Sequence, residues 1–167
     1  QMTTAAIIVA AGRGTRAGGD MPKQWQTLGD RPVAAYAMEQ FARHPAVSEL
    51  ILVLHPDDRE TGLWPRTPPA KVVIGGATRA ASVKAGLDAV SVGIETVLIH
   101  DAARPLISAV VIDRVLAALE TSEGAAPAVA VTDTLWHGAE ASVKGVHDRN
   151  GLYRAQTPQG FRLAALR

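Results

Sequence analysis

The fold is decided by the segment AAIIVAAGRGTR, which spans residues 5–16. Its first half, residues 5–10, is a continuous apolar run that contains the β-branched residues Ile7, Ile8 and Val9. A run of this kind is typical of a strand that is buried on both faces of a parallel sheet. The run leads directly into a glycine-rich loop. The segment therefore predicts a covered sheet with a polar loop at the carboxyl end of one strand.

On either side of the apolar runs, helical periodicity recurs along the chain. Further strands are predicted at residues 50–54, 71–74, 95–100 and 126–131, and helices are predicted to begin near Pro32, Thr78 and Ser108. Strands that alternate with helices at these lengths imply a mostly parallel sheet with helices on both faces. The expected fold class is thus α/β, a Rossmann-like three-layer sandwich.

The alternation of apolar runs with helical periodicity ends after Val131. Residues 132–156 are more polar, contain short β-like pieces and show no helical period. We expect this stretch to form a protruding β-hairpin arm within a single domain that spans residues 1–167.

Composition narrows the class of function. The chain has 167 residues, with 17 Lys plus Arg against 16 Asp plus Glu, and no cysteine. This balance argues against a protein that binds nucleic acid through clustered basic excess. The lack of cysteine excludes disulfides and a thiolate nucleophile. No apolar run reaches the roughly 18 residues of a membrane span. We expect a cytoplasmic domain with neither nucleic-acid nor membrane partners.

The loop after the first strand, residues 10–24, concentrates positive charge. Arg13, Arg16 and Lys23 lie among several glycines, whose backbone N–H groups can approach an anion closely. The loop matches a loose dinucleotide fingerprint, but its later glycines and proline would break the helix that this fingerprint requires. No Walker A sequence follows. The loop predicts a polyphosphate site; the alternative is an ordinary glycine-rich connection with solvated cations.

Two further strand ends carry polar loops. Gly75 and Gly76 precede a predicted helix that contains Ser82, so the backbone there can admit a base or a sugar. The alternative is a plain strand-to-helix turn. Asp101 follows another buried strand, where one carboxylate plus substrate phosphates suits Mg²⁺. The alternative is that Asp101 caps the next turn or pairs with Arg104. His100 is interpreted as a packed strand-end residue.

Because the carboxyl ends of parallel strands meet at one edge of a sheet, these loops are expected to converge. Together they predict a site for a Mg²⁺-bound polyphosphate that carries a nucleoside. The reaction class that fits is phosphoryl or nucleotidyl transfer, in which positioning and charge neutralisation supply most of the catalysis.

Several motifs occur along the chain in a fixed order. They are AAGRGTR at 10–16, PKQ at 22–24, GG at 75–76, HDAARP at 100–105, DT at 133–134 and DRNGLYRAQTPQ at 148–159. With these motifs the sequence closely resembles the 2-C-methyl-D-erythritol 4-phosphate cytidylyltransferases over essentially its whole length. Both single-domain and bifunctional versions of this family, the latter fused to the cyclodiphosphate synthase, stay open.

The resemblance implies a nucleotidyltransferase fold, Mg²⁺ as cofactor and a homodimer joined through the arm. It implies transfer of CMP from CTP to methylerythritol phosphate in non-mevalonate isoprenoid biosynthesis. By resemblance, the site residues are Arg16 and Lys23 for catalysis, Ala10, Ala11, Gly12, Gly76 and Ser82 for cytidine, Ala102 for ribose, Arg13 and Gly14 for the triphosphate, Asp101 for the metal, and Thr134 and Arg149 for the polyol phosphate, Arg149 reaching a neighbouring subunit.

The sequence departs from the family pattern in two places. Ala77 stands where many relatives have aspartate, so base selection would rest on backbone groups and Ser82. Relatives also continue well past the position of Gln159, with a lysine that helps to bind both phosphates, so we expect that this chain lacks a C-terminal segment. The alternatives are a ribitol 5-phosphate cytidylyltransferase, a non-catalytic nucleotide-binding module and a dinucleotide-dependent dehydrogenase.

Overall fold

The structure, a computed structural model, describes residues 2–13 and 21–166. The strands are β1 (Thr4–Ala10), β2 (Thr27–Leu28), β3 (Arg31–Pro32), β4 (Val47–Leu54), β5 (Lys71–Ile74), β6 (Thr96–Asp101), β7 (Gly124–Ala125), β8 (Ala128–Ala130), β9 (Leu135–Ala139), β10 (Ser142–His147), β11 (Tyr153–Ala155) and β12 (Gln159–Arg162). The helices are α1 (Val33–Arg43), α2 (Pro56–Thr61), α3 (Arg79–Asp88) and α4 (Ala109–Ala118), with short 3-10 helices at Lys23–Trp25 and Leu163–Leu166.

The central sheet has the strand order β5-β4-β1-β6-β12-β7. Strands β5, β4, β1 and β6 are parallel to one another, whereas β12 runs antiparallel to β6. The middle of β1 pairs on both sides, because Ile7 lies opposite Ile51 of β4 and Ile99 of β6. The predicted mostly parallel sheet is confirmed.

The apolar run in β1 faces two separate cores. Ala6 and Ile8 pack in a cluster that includes Phe41 of α1 and Ile112 of α4. Ile7 points to the opposite face, where residues of α3 pack. Helices therefore cover both faces of the sheet, and the predicted three-layer arrangement is confirmed. None of the helices in the described part of the chain is long and apolar enough to cross a membrane.

The predicted fifth strand at residues 126–131 is wrong as a member of the central sheet. Only Ala128–Ala130 is extended there, and it pairs with β11 outside the sheet. The place beside β6 belongs to β12 instead. Gly160 explains this, because a Cβ at Gly160 would lie 2.6 Å from Val115 of α4. The strand thus passes closely beneath a helix, where the exposed segment β8 has no comparable core contact.

A six-residue helix, α2, follows β4, where the sequence patterns predicted no helix. His55 is its N-cap and accepts a hydrogen bond from the backbone N–H of Asp57, while a proline occupies the first turn. This short helix begins at the same sheet edge as the predicted site.

The arm is present as an exposed hairpin within residues 132–156. Strands β9 and β10 pair antiparallel, and Glu140 and Ala141 at their turn have φ values of 52° and 59°. Trp136 and Val146 lie on this hairpin with 65% and 69% of their surface exposed.

Helix α3 packs unusually close to the sheet at Gly86. A Cβ at this position would lie 2.5 Å from Cγ2 of Ile7 and 3.2 Å from Cγ2 of Val53, both of which are fully buried. Glycine is required here because the neighbouring strands leave no room for a methyl group.

We predict that Gly86→Ala lowers the free energy of unfolding by about 1–2 kcal/mol. Overpacking against β1 and β4 outweighs the roughly 1 kcal/mol by which alanine favours a helix. Urea denaturation measures the difference. Gly145→Ala is the matched control, because no atom lies within 4 Å of a Cβ built there, and it should change the value by less than about 0.5 kcal/mol. A Gly86→Ala chain as stable as the parent would contradict the close packing.

Candidate functional site

A cleft of about 560 Å³ opens at the carboxyl ends of β1 and β6 and at the start of α3. Among the predicted site residues, its lining includes Ala10, Ala11, Gly12, Arg13, Lys23, Gly76, Ser82, Asp101 and Ala102. These residues come from three loops that are far apart in the sequence. The convergence that was expected at one sheet edge is therefore present.

Of the other predicted site residues, Gly14 and Arg16 lie outside the described residues. Thr134 and Arg149 lie on the arm and not in the described lining of the cleft. The guanidinium of Arg149 instead donates to the backbone carbonyl of Thr132.

Gln24 holds the base of the first loop. Its side-chain Nε2 donates to the carbonyl oxygens of Ala10 and Gly12, at 2.8 and 3.0 Å. The amide is buried, so these bonds fix the backbone that leaves β1. They also bring the neighbouring Lys23, whose side chain is exposed, to the wall of the cleft.

The opposite wall is the N-terminus of α3. Thr78 caps this helix as predicted, because its hydroxyl accepts a hydrogen bond from the backbone N–H of Ala81 at 3.1 Å. A Cβ on Gly75 would lie 2.6 Å from Oγ of Ser82 and 2.8 Å from Cβ of Ala11, so glycine allows the two walls to meet. The positive end of the α3 dipole thus lies beside the cleft, where it favours an anion.

Ser82 is almost fully buried beneath this wall. Its hydroxyl donates to the carbonyl oxygen of Gly76 at 3.3 Å. With its proton used in this way, the hydroxyl oxygen keeps its acceptor capacity for a donor such as an exocyclic amino group.

Asp101 lies between two arginines. Its Oδ1 accepts from Nη2 of Arg79 at 3.1 Å, and its Oδ2 accepts from Nε of Arg104 at 3.3 Å. The pairing with Arg104 was one of the alternatives open from the sequence, whereas the pairing with Arg79 was not anticipated. Both arginines are about half exposed, so they are able to rearrange around a ligand.

His100 is buried behind Asp101, in agreement with its interpretation as a packed residue. Its Nε2 lies 2.9 Å from the carbonyl oxygen of Arg104, and its Nδ1 lies 2.9 Å from Oγ1 of Thr157. Since a carbonyl only accepts, the proton is assigned to Nε2, and Thr157 donates to Nδ1. Burial lowers the pKa of the imidazole, which favours this neutral form.

The donor set suits a hard cation only in part. No group of three or more His, Cys, Asp or Glu side chains able to hold a metal occurs among residues 2–13 and 21–166. Asp101 is a single carboxylate in the cleft, which fits Mg²⁺ provided that phosphate oxygens complete the coordination.

The sequence matches one family of known proteins over nearly its full length. Residues 4–167 match the family model of IspD, 2-C-methyl-D-erythritol 4-phosphate cytidylyltransferase. The chain belongs to this family. A cytidylyltransferase of that description from Cereibacter sphaeroides is 58% identical over 169 residues, which cover 99% of this chain and 75% of the relative. A bifunctional IspD/IspF enzyme from Ruegeria pomeroyi is 54% identical, and 44% of its length is covered.

Solved structures of the cytidylyltransferase family share the fold. The Thermus thermophilus cytidylyltransferase superposes with a TM-score of 0.79 at 34% identity, over 99% of this chain and 73% of that one. The bifunctional IspDF from Campylobacter jejuni has a TM-score of 0.81 at 26% identity, over 97% of this chain and 41% of that one.

Three further residues line the cleft of this cytidylyltransferase-family chain, and no sequence pattern predicted a role for them: Gln24, His55 and Arg79. Arg79 had one available signal, since it is a cation at the first position of a helix that follows a double glycine. Its pairing with Asp101 was not visible, because the two residues are 22 positions apart.

We predict that Thr157→Val lowers the free energy of unfolding by about 1–3 kcal/mol. The variant leaves Nδ1 of His100 buried without a donor, and an unpaired buried polar atom costs this much. Denaturant unfolding measures the loss. Thr157→Ser keeps the hydroxyl and should recover most of the stability. Equal stability of the Val and Ser variants would contradict the assigned hydrogen bond.

Proposed function

We propose that this chain transfers CMP from CTP to 2-C-methyl-D-erythritol 4-phosphate, in the non-mevalonate route to isoprenoids. One phosphate oxygen of the polyol phosphate attacks the α-phosphorus of CTP, and the bond from that phosphorus to the bridging oxygen of the β-phosphate breaks. The products are CDP-methylerythritol and diphosphate. The observation that carries the proposal is the convergence of three loops on one cleft in a chain of the cytidylyltransferase family.

The charge around the cleft suits a triphosphate. Lys23, Arg13 and Arg79 line it, and the positive end of α3 faces it. Phosphoryl transfer depends mainly on positioning and on neutralising charge that spreads over the phosphate oxygens. The proposed roles are Lys23 and Arg16 at the α-phosphate, Arg13 and Gly14 along the triphosphate, Ala10, Ala11, Gly12, Gly76 and Ser82 around cytidine, and Ala102 at the ribose.

Asp101 is the proposed holder of Mg²⁺. When bound, the ion would neutralise part of the triphosphate charge and orient its oxygens. Asp101 already lies between two arginines, so we infer that Arg79 or Arg104 turns toward phosphate when the carboxylate takes the ion. His100 donates to the carbonyl oxygen of Arg104 and accepts from Thr157. These two hydrogen bonds fix the backbone next to Asp101.

The proposed site for the polyol phosphate requires a homodimer. Thr134 and Arg149 are the proposed ligands of the polyol phosphate, with Arg149 supplied across a homodimer by the arm of the other subunit. The exposed Trp136 and Val146 on the arm support this, because large apolar side chains that cluster on a surface often mark an interface. We also propose a cytoplasmic location, with which the absence of cysteine from these 167 residues is compatible.

Incubation of the purified chain with CTP, Mg²⁺ and either polyol phosphate tests the reaction. We expect equimolar CDP-methylerythritol and diphosphate from methylerythritol phosphate, and little product from ribitol 5-phosphate. A clear preference for ribitol 5-phosphate would favour the second cytidylyltransferase. Tight CTP binding without turnover would favour a nucleotide-binding module.

We predict that Lys23→Ala and Arg16→Ala each lower kcat about 100-fold or more, while the Kd for CTP changes by less than about fivefold. The cations are needed most where charge develops in the transition state. Steady-state kinetics and calorimetric titration with CTP measure the two quantities. Lys84→Ala is the control, because Lys84 is exposed on α3 and pairs with Asp88. Equal losses in kcat and binding would contradict the role.

We predict that Arg149→Ala raises KM for methylerythritol phosphate about tenfold or more and leaves KM for CTP within about twofold. Loss of a guanidinium that pairs with phosphate removes binding of that substrate alone. Lys144→Ala, an exposed cation on the same hairpin, serves as control. An unchanged KM for the polyol phosphate would remove Arg149 from the substrate site.

A further inference from the structure

Asp58 is a buried carboxylate that has no role in the proposed reaction. It lies on α2, and only 3% of its side-chain surface is exposed. Its Oδ1 accepts from Nη1 of Arg13 at 2.9 Å, and its Oδ2 accepts from the indole Nε1 of Trp25 at 3.0 Å. Each carboxylate oxygen therefore has its own donor.

The two donors come from opposite ends of the cationic loop. Arg13 lies near the start of the loop after β1, and Trp25 ends the short helix that carries Lys23. Asp58, which follows β4, thus joins both ends of the loop from the neighbouring strand. Gln24 ties the same two ends through backbone carbonyls, so the base of the loop is held at two separate points.

The charge of Asp58 matters more for the orientation of the Arg13 guanidinium than for the free energy of folding. A buried ion pair is expensive to desolvate and commonly contributes no more than apolar residues of similar volume. What it supplies is a fixed orientation of the planar guanidinium, which has five N–H donors in a rigid fork. Arg13 also bonds Oδ2 of Asp57 at 3.0 Å, but that side chain is 77% exposed and its attraction is screened.

We propose that Asp58 is a positioning residue for the nucleotide: the indole of Trp25 holds the carboxylate in place, and the carboxylate acts through Arg13. It turns the guanidinium of Arg13 toward the triphosphate side of the cleft and sets the distance between Arg13 and Lys23. The inference rests on the proposed function, because it takes CTP as the ligand of this cleft.

The substitution Asp58→Asn tests the proposal with almost no change in volume. The amide group keeps one acceptor oxygen, and its NH₂ cannot accept from either Arg13 or Trp25. We expect KM and Kd for CTP to rise about tenfold or more, with KM for the polyol phosphate unchanged. A merely structural role would reduce the fraction of active enzyme, and hence apparent kcat, at unchanged KM.

Asp57→Asn is the matched control, since Asp57 contacts the same guanidinium from the surface. It should keep KM for CTP within about twofold. In an Arg13→Ala background, Asp58→Asn should raise KM for CTP by less than about twofold beyond the single variant, because the effect passes through Arg13. If Asp58→Asn does not fold, Trp25→Phe keeps an aromatic, though smaller, ring, removes one donor to Asp58, and should raise KM for CTP about threefold.

The outcomes separate this inference from the proposed function. No turnover by the parent chain would count against the reaction, and Asp58 would then be judged on the Kd for CTP alone. A parent chain that is active or binds CTP, together with unchanged CTP affinity in both Asp58→Asn and Trp25→Phe, would overturn the positioning role.

Discussion

Strand β1 pairs in parallel with β4 on one side and with β6 on the other, and this pairing determines where the loops of the site lie. Val9 lies opposite Val53 on one side and Asp101 on the other, so the three strands end together. Parallel pairing therefore brings the cationic loop, the start of α2 and the Asp101 loop to one edge. The cleft follows from this register. A shift of one residue would exchange the two faces of β1 and separate the loops.

Close packing of α3 against the sheet forms one wall of the cleft at this sheet edge. At Gly75 and Gly86 the absence of a side chain lets α3 approach β1 and the loop that follows β5. The positive end of the helix dipole then faces the same space as Arg13 and Lys23. The site thus combines fixed backbone dipoles with side-chain cations, an arrangement that favours an anion.

The sequence was sufficient to predict the elements whose patterns are local. Strand β5 matches the predicted range, and Thr78 caps α3, because apolar runs and capping residues are read from neighbouring positions. The segment at 126–131 has the apolar composition of a core strand, yet only the tertiary packing at Gly160 decides that β12 takes the place beside β6.

The long-range ion pairs could not be predicted from the sequence either, because they too depend on tertiary packing. Strand ends indicated that Asp101 and Arg13 lie near a ligand, but the partners of these side chains are set by three-dimensional proximity. Arg79 reaches Asp101 across 22 positions, and Asp58 reaches Arg13 across 45. Neither distance has a periodicity that a pattern can report. Such pairs decide how the charges of the site are oriented.

A crystal structure of the chain with bound CTP would show whether the converging strand ends form the nucleotide site. We predict that the cytosine lies beside Ala11, Gly76 and Ser82 and that the triphosphate extends toward Arg13 and Lys23. A nucleotide bound away from this sheet edge, or bound there with its phosphates beside Ser82 and its base beside Lys23, would contradict it.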